Sequence, residues 1–261
     1  ALAAITTGDY NVAVGYDALT SNTTGKGNTA SGTAALVENT TGNYNTASGA
    51  GALNSNTTGK GNTASGYYAL VSNISSSYNT ASGYYALYKN IDGNGNTASG
   101  SEALFNNISG SYNNASGVEA LYKNTTGSNN IASGIQALFN NISGSGNNAS
   151  GIGALYSNTT GDDNIALGTN ALGVNTTGID NIAVGRAALL NNMIGQNNVA
   201  SGSEALFNNI SGSYNTAIGY NSDVSSGALT NATAIGNGAI VNASDKIRLG
   251  NTSVTVIEGQ V

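Results

Sequence analysis

The chain of 261 residues contains no cysteine, histidine, proline or tryptophan, and only 8% of its residues carry charge. Without cysteine there are no disulfides and no thiolate metal sites, and the redox compartment stays open. Without histidine or cysteine, the usual general bases and nucleophiles of catalysis are missing, and the 13 carboxylates are scattered. No apolar run is long enough to cross a bilayer. No secretory leader is visible, and the only methionine is Met193. A formal net charge of −6 disfavours nucleic-acid backbones and anionic membrane surfaces as partners.

What fills the chain instead is glycine, 37 residues of it, with Asn, Ser and Thr. Such a composition is compatible with disorder. A strict internal clock argues against that. Asn-x-Ala-x-Gly begins at Asn11 and returns at Asn28, Asn45, Asn62 and so on to Asn215, always 17 residues later. A further copy, Ala232-Thr233-Ala234-Ile235-Gly236, keeps the spacing and loses the Asn. Leu19, Leu36 and Leu53 head a file of leucines, each preceded by Ala, that runs to Leu206. Asn22, Asn39 and Asn56 head a second Asn file that runs to Asn209.

Seventeen residues cannot hold two helices and their turns, but they can hold two short strands and two turns. One strand is expected around Asn28-Thr29-Ala30-Ser31 and a second around Ala35-Leu36-Val37-Glu38. A bend at Gly32 and a turn at Asn39-Thr40-Thr41-Gly42 join them. Residues 17 apart then stack about 4.8 Å from one another in a parallel β-solenoid. The fold class is all-β. Domain organisation reads as a repeat solenoid over 1–219, degenerate capping or transition coils over 220–250, and a C-terminal strand over 251–261 leading to a further element. Because Ala1-Leu2 already sits in the Ala-Leu slot, the array is expected to continue upstream.

Each coil offers few core groups: two Ala, one Leu, and the residue after the second-file Asn, such as Ile74, Ile108, Ile142 or Ile210. So thin a core needs cover on its flank, and a homotrimer about a three-fold axis supplies it. The second Asn file, Asn22, Asn39, Asn56 and onward, is expected to hydrogen-bond up and down the stack. Asn22-Thr23-Thr24 and Asn107-Ile108-Ser109 also fit the glycan-acceptor pattern, a match that is automatic in a repeat of this composition. A rhythm of 34 residues runs through the position before the first-file Asn: Tyr10, Gly27, Tyr44, Gly61, Tyr78, Gly95, Tyr112. Each ring is expected to lie over the glycine of the neighbouring coil.

Aromatic residues are the candidates for binding. Tyr88, Phe105, Tyr122, Phe139 and Tyr156 form a file that follows the leucines, and Tyr67, Tyr68, Tyr84 and Tyr85 cluster on two adjacent coils. A sugar ring can stack on such side chains; packing against a neighbouring subunit is the alternative use. Asp162, Asp163 and Asp180 fall near one another in the repeat, but are too few for a calcium cage, which wants six or more oxygens. Glycine-rich pieces such as Gly93-Asn94-Gly95 do not sit between a strand and a helix, so they are no phosphate loop. No metal or cofactor is implied.

Val12-Ala13-Val14-Gly15, Ile165-Ala166-Leu167-Gly168, Ile182-Ala183-Val184-Gly185 and Thr216-Ala217-Ile218-Gly219 resemble the Val-Ala-Ile-Gly repeat of trimeric autotransporter adhesin heads. Ile247-Arg248-Leu249-Gly250-Asn251-Thr252-Ser253-Val254-Thr255 is similar to the segment preceding the intramolecular chaperone of phage tail fibres and spikes. The resemblance implies a left-handed β-roll, three chains to a fibre, on a virion or bacterial surface. Nine of thirteen copies have Ser where that family favours an apolar residue (Ser31 to Ser150, and Ser201). The expected function is a non-enzymatic structural fibre and attachment segment: a tail fibre or surface adhesin, extracellular or on the virion. Its partners would be two further copies of itself and a host cell-surface glycan or protein, with no nucleic acid and no membrane insertion. The alternative is an ice- or crystal-binding solenoid built on Thr files such as Thr29, Thr46, Thr63, Thr80 and Thr97. Against that alternative stands the Ala that occupies the neighbouring strand position.

Overall fold

The structure, a computed structural model, describes residues 2–255. It is an all-β parallel β-solenoid of about 14 turns built from 17-residue coils, with no helix among the described residues. Two compact units divide after Ser145. The first holds β1 (Val12–Val14), β2 (Thr29–Ser31), β3 (Thr46–Ser48), β4 (Thr63–Ser65), β5 (Thr80–Ser82), β6 (Thr97–Ser99), β7 (Asn114–Ser116) and β8 (Ile131–Ser133). The second holds β9 (Asn148–Ser150), β10 (Ile165–Leu167), β11 (Ile182–Val184), β12 (Val199–Ser201), β13 (Thr216–Ile218), β14 (Asp223–Val224), β15 (Thr233–Ile235), β16 (Ile240–Val241) and β17 (Ile247–Leu249).

Up to β13, successive strands within each unit pair in parallel with residues 17 apart as partners, so Thr29 faces Thr46 and Ile165 faces Ile182. These strands are three residues long, and the pleat sends the middle one inward and its neighbours out. Ala30, Ala47 and Ala64 are therefore fully buried while Thr29 and Ser31 are exposed. The bend after each strand depends on glycine. Gly32 sits at φ +139°, and a Cβ there would stand 2.5 Å from the carbonyl oxygen of Gly49 in the next coil.

The second limb differs from expectation. Ala35-Leu36-Val37-Glu38 is a run of turns rather than a strand. Ala34 and Leu36 take left-handed φ values of 56° and 51°, so the sign of φ alternates along Thr33-Ala34-Ala35-Leu36. Leucine in that region costs about 1–2 kcal/mol of backbone energy. Full burial of its side chain, worth about 1.5–3 kcal/mol, offsets this. The limb still bonds from coil to coil, Leu36 N–H to Ala52 O at 3.1 Å and Glu38 N–H to Asn54 O at 3.0 Å. A true second strand appears only past Gly219, where β14 pairs with β16.

The core departs from expectation in a second way. Ile74, Ile108, Ile142 and Ile210 are exposed, because the adjacent second-file Asn takes the inward position. The interior of a coil is thus two Ala, one Leu and two Asn, all at or near zero exposure. The ladder expected at Asn22, Asn39 and Asn56 is present, stacked beside the leucine file of Leu19, Leu36 and Leu53. Asn39 Nδ2 donates to Asn22 Oδ1 of the preceding coil at 2.9 Å and to Gly42 O at 3.1 Å. The first-file Asn forms a second ladder: Asn45 N–H donates to Asn28 Oδ1 at 3.0 Å, and Asn45 Nδ2 to Gly59 O at 2.8 Å. Both ladders recur in the second unit, as in Asn175 to Asn158 and Asn181 to Asn164. Among the described residues no buried side-chain nitrogen or oxygen lacks a partner. With Nδ2 of Asn22 and Asn107 buried and committed to carbonyl groups, the folded chain offers neither as a glycan acceptor.

Past Gly219 the stack continues, β13 to β15 at the 17-residue step and β15 to β17 at a step of 14. The expected C-terminal strand over 251–261 is not seen in its described part, where Thr252 and Ser253 form a turn. Residues 256–261 lie outside the described residues.

Candidate functional site

In the first unit the aromatic residues that follow the leucines project half-buried from the turn limb and stack on one another at the coil repeat. Ring centroids are 5.0 Å apart for Tyr88 and Phe105, 5.3 Å for Phe105 and Tyr122, and 5.2 Å for Tyr122 and Phe139, with planes within 14° of parallel. Such a ladder hides its ring faces and turns ring edges, which carry the positive end of the quadrupole, toward solvent.

The two-coil cluster is joined to this ladder. Tyr67 and Tyr84 stack at 5.7 Å with planes 9° apart, and both are about half exposed. Tyr85 lies 4.2 Å from Tyr84, 4.9 Å from Tyr88 edge to face, and 6.0 Å from both Tyr68 and Phe105. Tyr68 meets Tyr67 at 4.5 Å and covers Gly51. Eight of the nine candidate aromatics therefore form one belt. Tyr156 lies in the second unit, half-buried. The coils on either side of the Tyr67–Tyr84 pair carry only Ala50 and Ser101 at that position.

Crowding shifts three of the phenols upward. Desolvation, then the neighbouring Tyr68, Tyr85 and Tyr88, pushes the Tyr67 hydroxyl above its usual range. A hydrogen bond with Tyr84, with desolvation, does the same for Tyr85. Desolvation followed by Glu102 and Glu119 raises Tyr122. On the other flank, Lys89 lies over Phe105 at 5.5 Å and Lys123 over Phe139 at 5.4 Å. Neither the bridge through Tyr85 nor the lysines figured in the sequence reading. The only trace in the sequence is the alternation of Ala-Leu-Tyr-Lys-Asn with Ala-Leu-Phe-Asn-Asn.

The expected ring-over-glycine contacts are present. Tyr44 lies on Gly27, Tyr78 on Gly61 and Tyr112 on Gly95, with ring carbons 2.8–3.0 Å from where a Cβ would stand. Among the described residues no three acidic side chains converge as a metal site, Asp162, Asp163 and Asp180 included. A second regular surface lies on the strands. In β2–β6 both Thr and Ser point outward and only the Ala between them points in. The neighbouring outward file is thus Ser, not Ala, which removes the objection to paired hydroxyl files.

No known family model matches this chain, and no curated protein matches it.

Proposed function

We propose that the chain is a non-enzymatic structural and attachment segment of a homotrimeric fibre, extracellular or on a virion surface. In this reading it presents its aromatic belt to a host cell-surface glycan or protein. The belt carries the proposal. A hydrogen-bonded scaffold holds eight aromatic rings in fixed register, and the stacked pair Tyr67 and Tyr84 is about half exposed. An exposed pair of stacked rings backed by further half-buried ones is what a sugar ring or a protein surface docks on. For the trimer, support comes from the second unit. Its outward strand residues Ile165, Leu167, Ile182, Val184, Ile218 and Ile235 are exposed and apolar, a face that two further copies would cover. Replacing Tyr67 and Tyr84 by alanine should abolish binding on a glycan array while the melting temperature holds. Unchanged binding refutes the belt as the attachment surface. Sedimentation should return three times the chain mass, and a single-chain mass refutes the trimer.

The paired hydroxyl files favour a second reading, an ice- or crystal-binding surface. β-Branched Thr is stiff at χ1, so a flat grid of Thr and Ser in β2–β6 holds its hydroxyls in a fixed array. Thermal hysteresis that disappears in Thr63→Lys with Thr80→Lys would establish it; none in the unaltered chain would exclude it.

A further inference from the structure

Beside the aromatic ladder, in the first unit, an open groove is lined by Lys89, Asn106, Ile108, Lys123, Thr125 and Ile142. Its long direction follows the coil stack, since these residues form two files. One reads Lys89, Asn106, Lys123 and the other Ile108, Thr125, Ile142, one residue per coil. The groove is apolar at its Ile walls and positive at its Lys edge. Glu102 and Glu119, which act on Tyr122, do not line it.

The lysines are held rather than loose. Lys89 Nζ donates to Asn106 Oδ1 at 2.9 Å and stands over the Phe105 ring; Lys123 Nζ donates to Asn140 Oδ1 at 2.9 Å and stands over Phe139. An ammonium has three donors. One goes to the amide and the ring shields one side, which leaves the outward side of each exposed lysine for an anion. The two ammonium groups repeat every second coil, about 9.6 Å apart at the usual strand spacing. Between them sits the neutral amide of Asn106.

We infer that this groove binds a linear acidic polysaccharide that lies along the coil stack, one sugar per coil, with a carboxylate on every second sugar. The inference rests on the attachment reading and names its ligand class. An extended pyranose chain advances per sugar by about as much as a sheet advances per strand. Alternate carboxylates then meet Lys89 and Lys123, the intervening neutral sugar meets the Asn106 amide, and the apolar faces of the rings lie on Ile108 and Ile142. A nucleic acid is a poor occupant. Its strand carries a phosphate about every 3.4 Å, several for each lysine.

The test uses the full chain with two probes: a hyaluronan oligosaccharide, whose carboxylates alternate, and the same oligosaccharide after carboxyl reduction. Calorimetry at low salt should show that Lys89→Gln with Lys123→Gln weakens hyaluronan binding about tenfold, two exposed charge contacts together. The thermal melt should be unchanged, and Lys89→Arg with Lys123→Arg should keep most of the affinity. The reduced probe should bind the unaltered chain no better than hyaluronan binds the Gln variant. Equal affinity of the unaltered chain and the Gln variant for hyaluronan, or of the unaltered chain for both probes, overturns the inference. If other glycans still bind and depend on Tyr67 and Tyr84, the attachment reading survives that failure. If the unaltered chain binds no glycan of either kind, both fall together.

Discussion

Exchanging Asn107 for Asp changes one buried atom from nitrogen to oxygen and tests the Asn ladder where it is tightest. Asn107 Nδ2 donates to Asn90 Oδ1 at 2.7 Å and to Gly110 O at 2.8 Å, and its Oδ1 accepts from Asn124 Nδ2 at 2.7 Å. In the variant an acceptor oxygen faces two acceptors. Asn90 Oδ1 is left without this donor, at about 1–3 kcal/mol, while Gly110 O keeps the bond from Asn96 Nδ2, so its loss is nearer 1 kcal/mol. Hydrogen bonds alone therefore cost about 2–4 kcal/mol. Ionisation adds about 1.4 kcal/mol for each unit by which burial raises the new carboxyl. The sign with pH follows. A carboxyl raised in the fold binds more protons folded than unfolded, so the variant loses stability as pH climbs from about 3.9 through the raised value. Below that window the acid O–H serves as a donor again and part of the loss returns. Urea denaturation of Asn107→Asp should show a deficit of several kcal/mol at pH 7.5 and a smaller one at pH 3.5, each relative to the unaltered chain. Asn94→Asp on the exposed turn should stay within about 0.5 kcal/mol at both. A deficit under about 0.5 kcal/mol at pH 7.5 for Asn107→Asp, or one independent of pH, refutes the ladder as a structural element.

Three further outcomes follow from the same geometry. Leu104→Ala should cost about 2–5 kcal/mol, and Leu104→Gly should cost no more, because Leu104 sits at φ +53° where glycine carries no penalty; the two urea midpoints decide it. Gly95→Ala should cost about 1–3 kcal/mol in the same assay, since the added Cβ would stand 2.8 Å from the Tyr112 ring at φ +66°. Asp223 is buried, which lifts its carboxyl to about 6 despite N–H groups donated by Val224 and Asn208. Its contribution is therefore fully present below the unfolded value of about 3.9 and is lost by up to roughly 3 kcal/mol as pH rises through 6, so Asp223→Asn should flatten stability between pH 4 and 7.

The 17-residue clock made much of the fold legible, for a physical reason. A side chain that must contact its own copy in the next coil appears at the same phase in every repeat, so the ladder at Asn39 and the glycines under Tyr44 and Tyr78 could be read from spacing, whereas the second ladder at Asn45 emerged only from the structure. The second limb could not. Ala35-Leu36 reads as strand, because a left-handed leucine is unfavourable as a local choice and only burial in the stack sustains it. Ile108 reads as core on its own polarity, yet the inward slot beside it belongs to Asn107. Periodicity found every aromatic of the belt, but its continuity depends on the orientation of Tyr85 between Tyr84 and Tyr88, which no spacing encodes. The groove stayed hidden for the same reason: nothing in the spacing of Lys89 and Lys123 sets them over Phe105 and Phe139 or against the Asn106 and Asn140 amides.

Register is the claim on which all of this depends, and a chain without cysteine offers a clean background for measuring it. Ser82 and Ser99 are partners on adjacent strands, both exposed, at a Cα spacing of about 4.8 Å that suits a disulfide. Ser82 and Thr97 are offset by two residues, about 8 Å apart and beyond disulfide reach. Mild oxidation of dilute protein, read by mass spectrometry of the denatured chain, should cross-link Ser82→Cys with Ser99→Cys within one chain and leave Ser82→Cys with Thr97→Cys as free thiols. Equal yields from the two pairs, or a bond only in the offset pair, would contradict stacking at 17 residues.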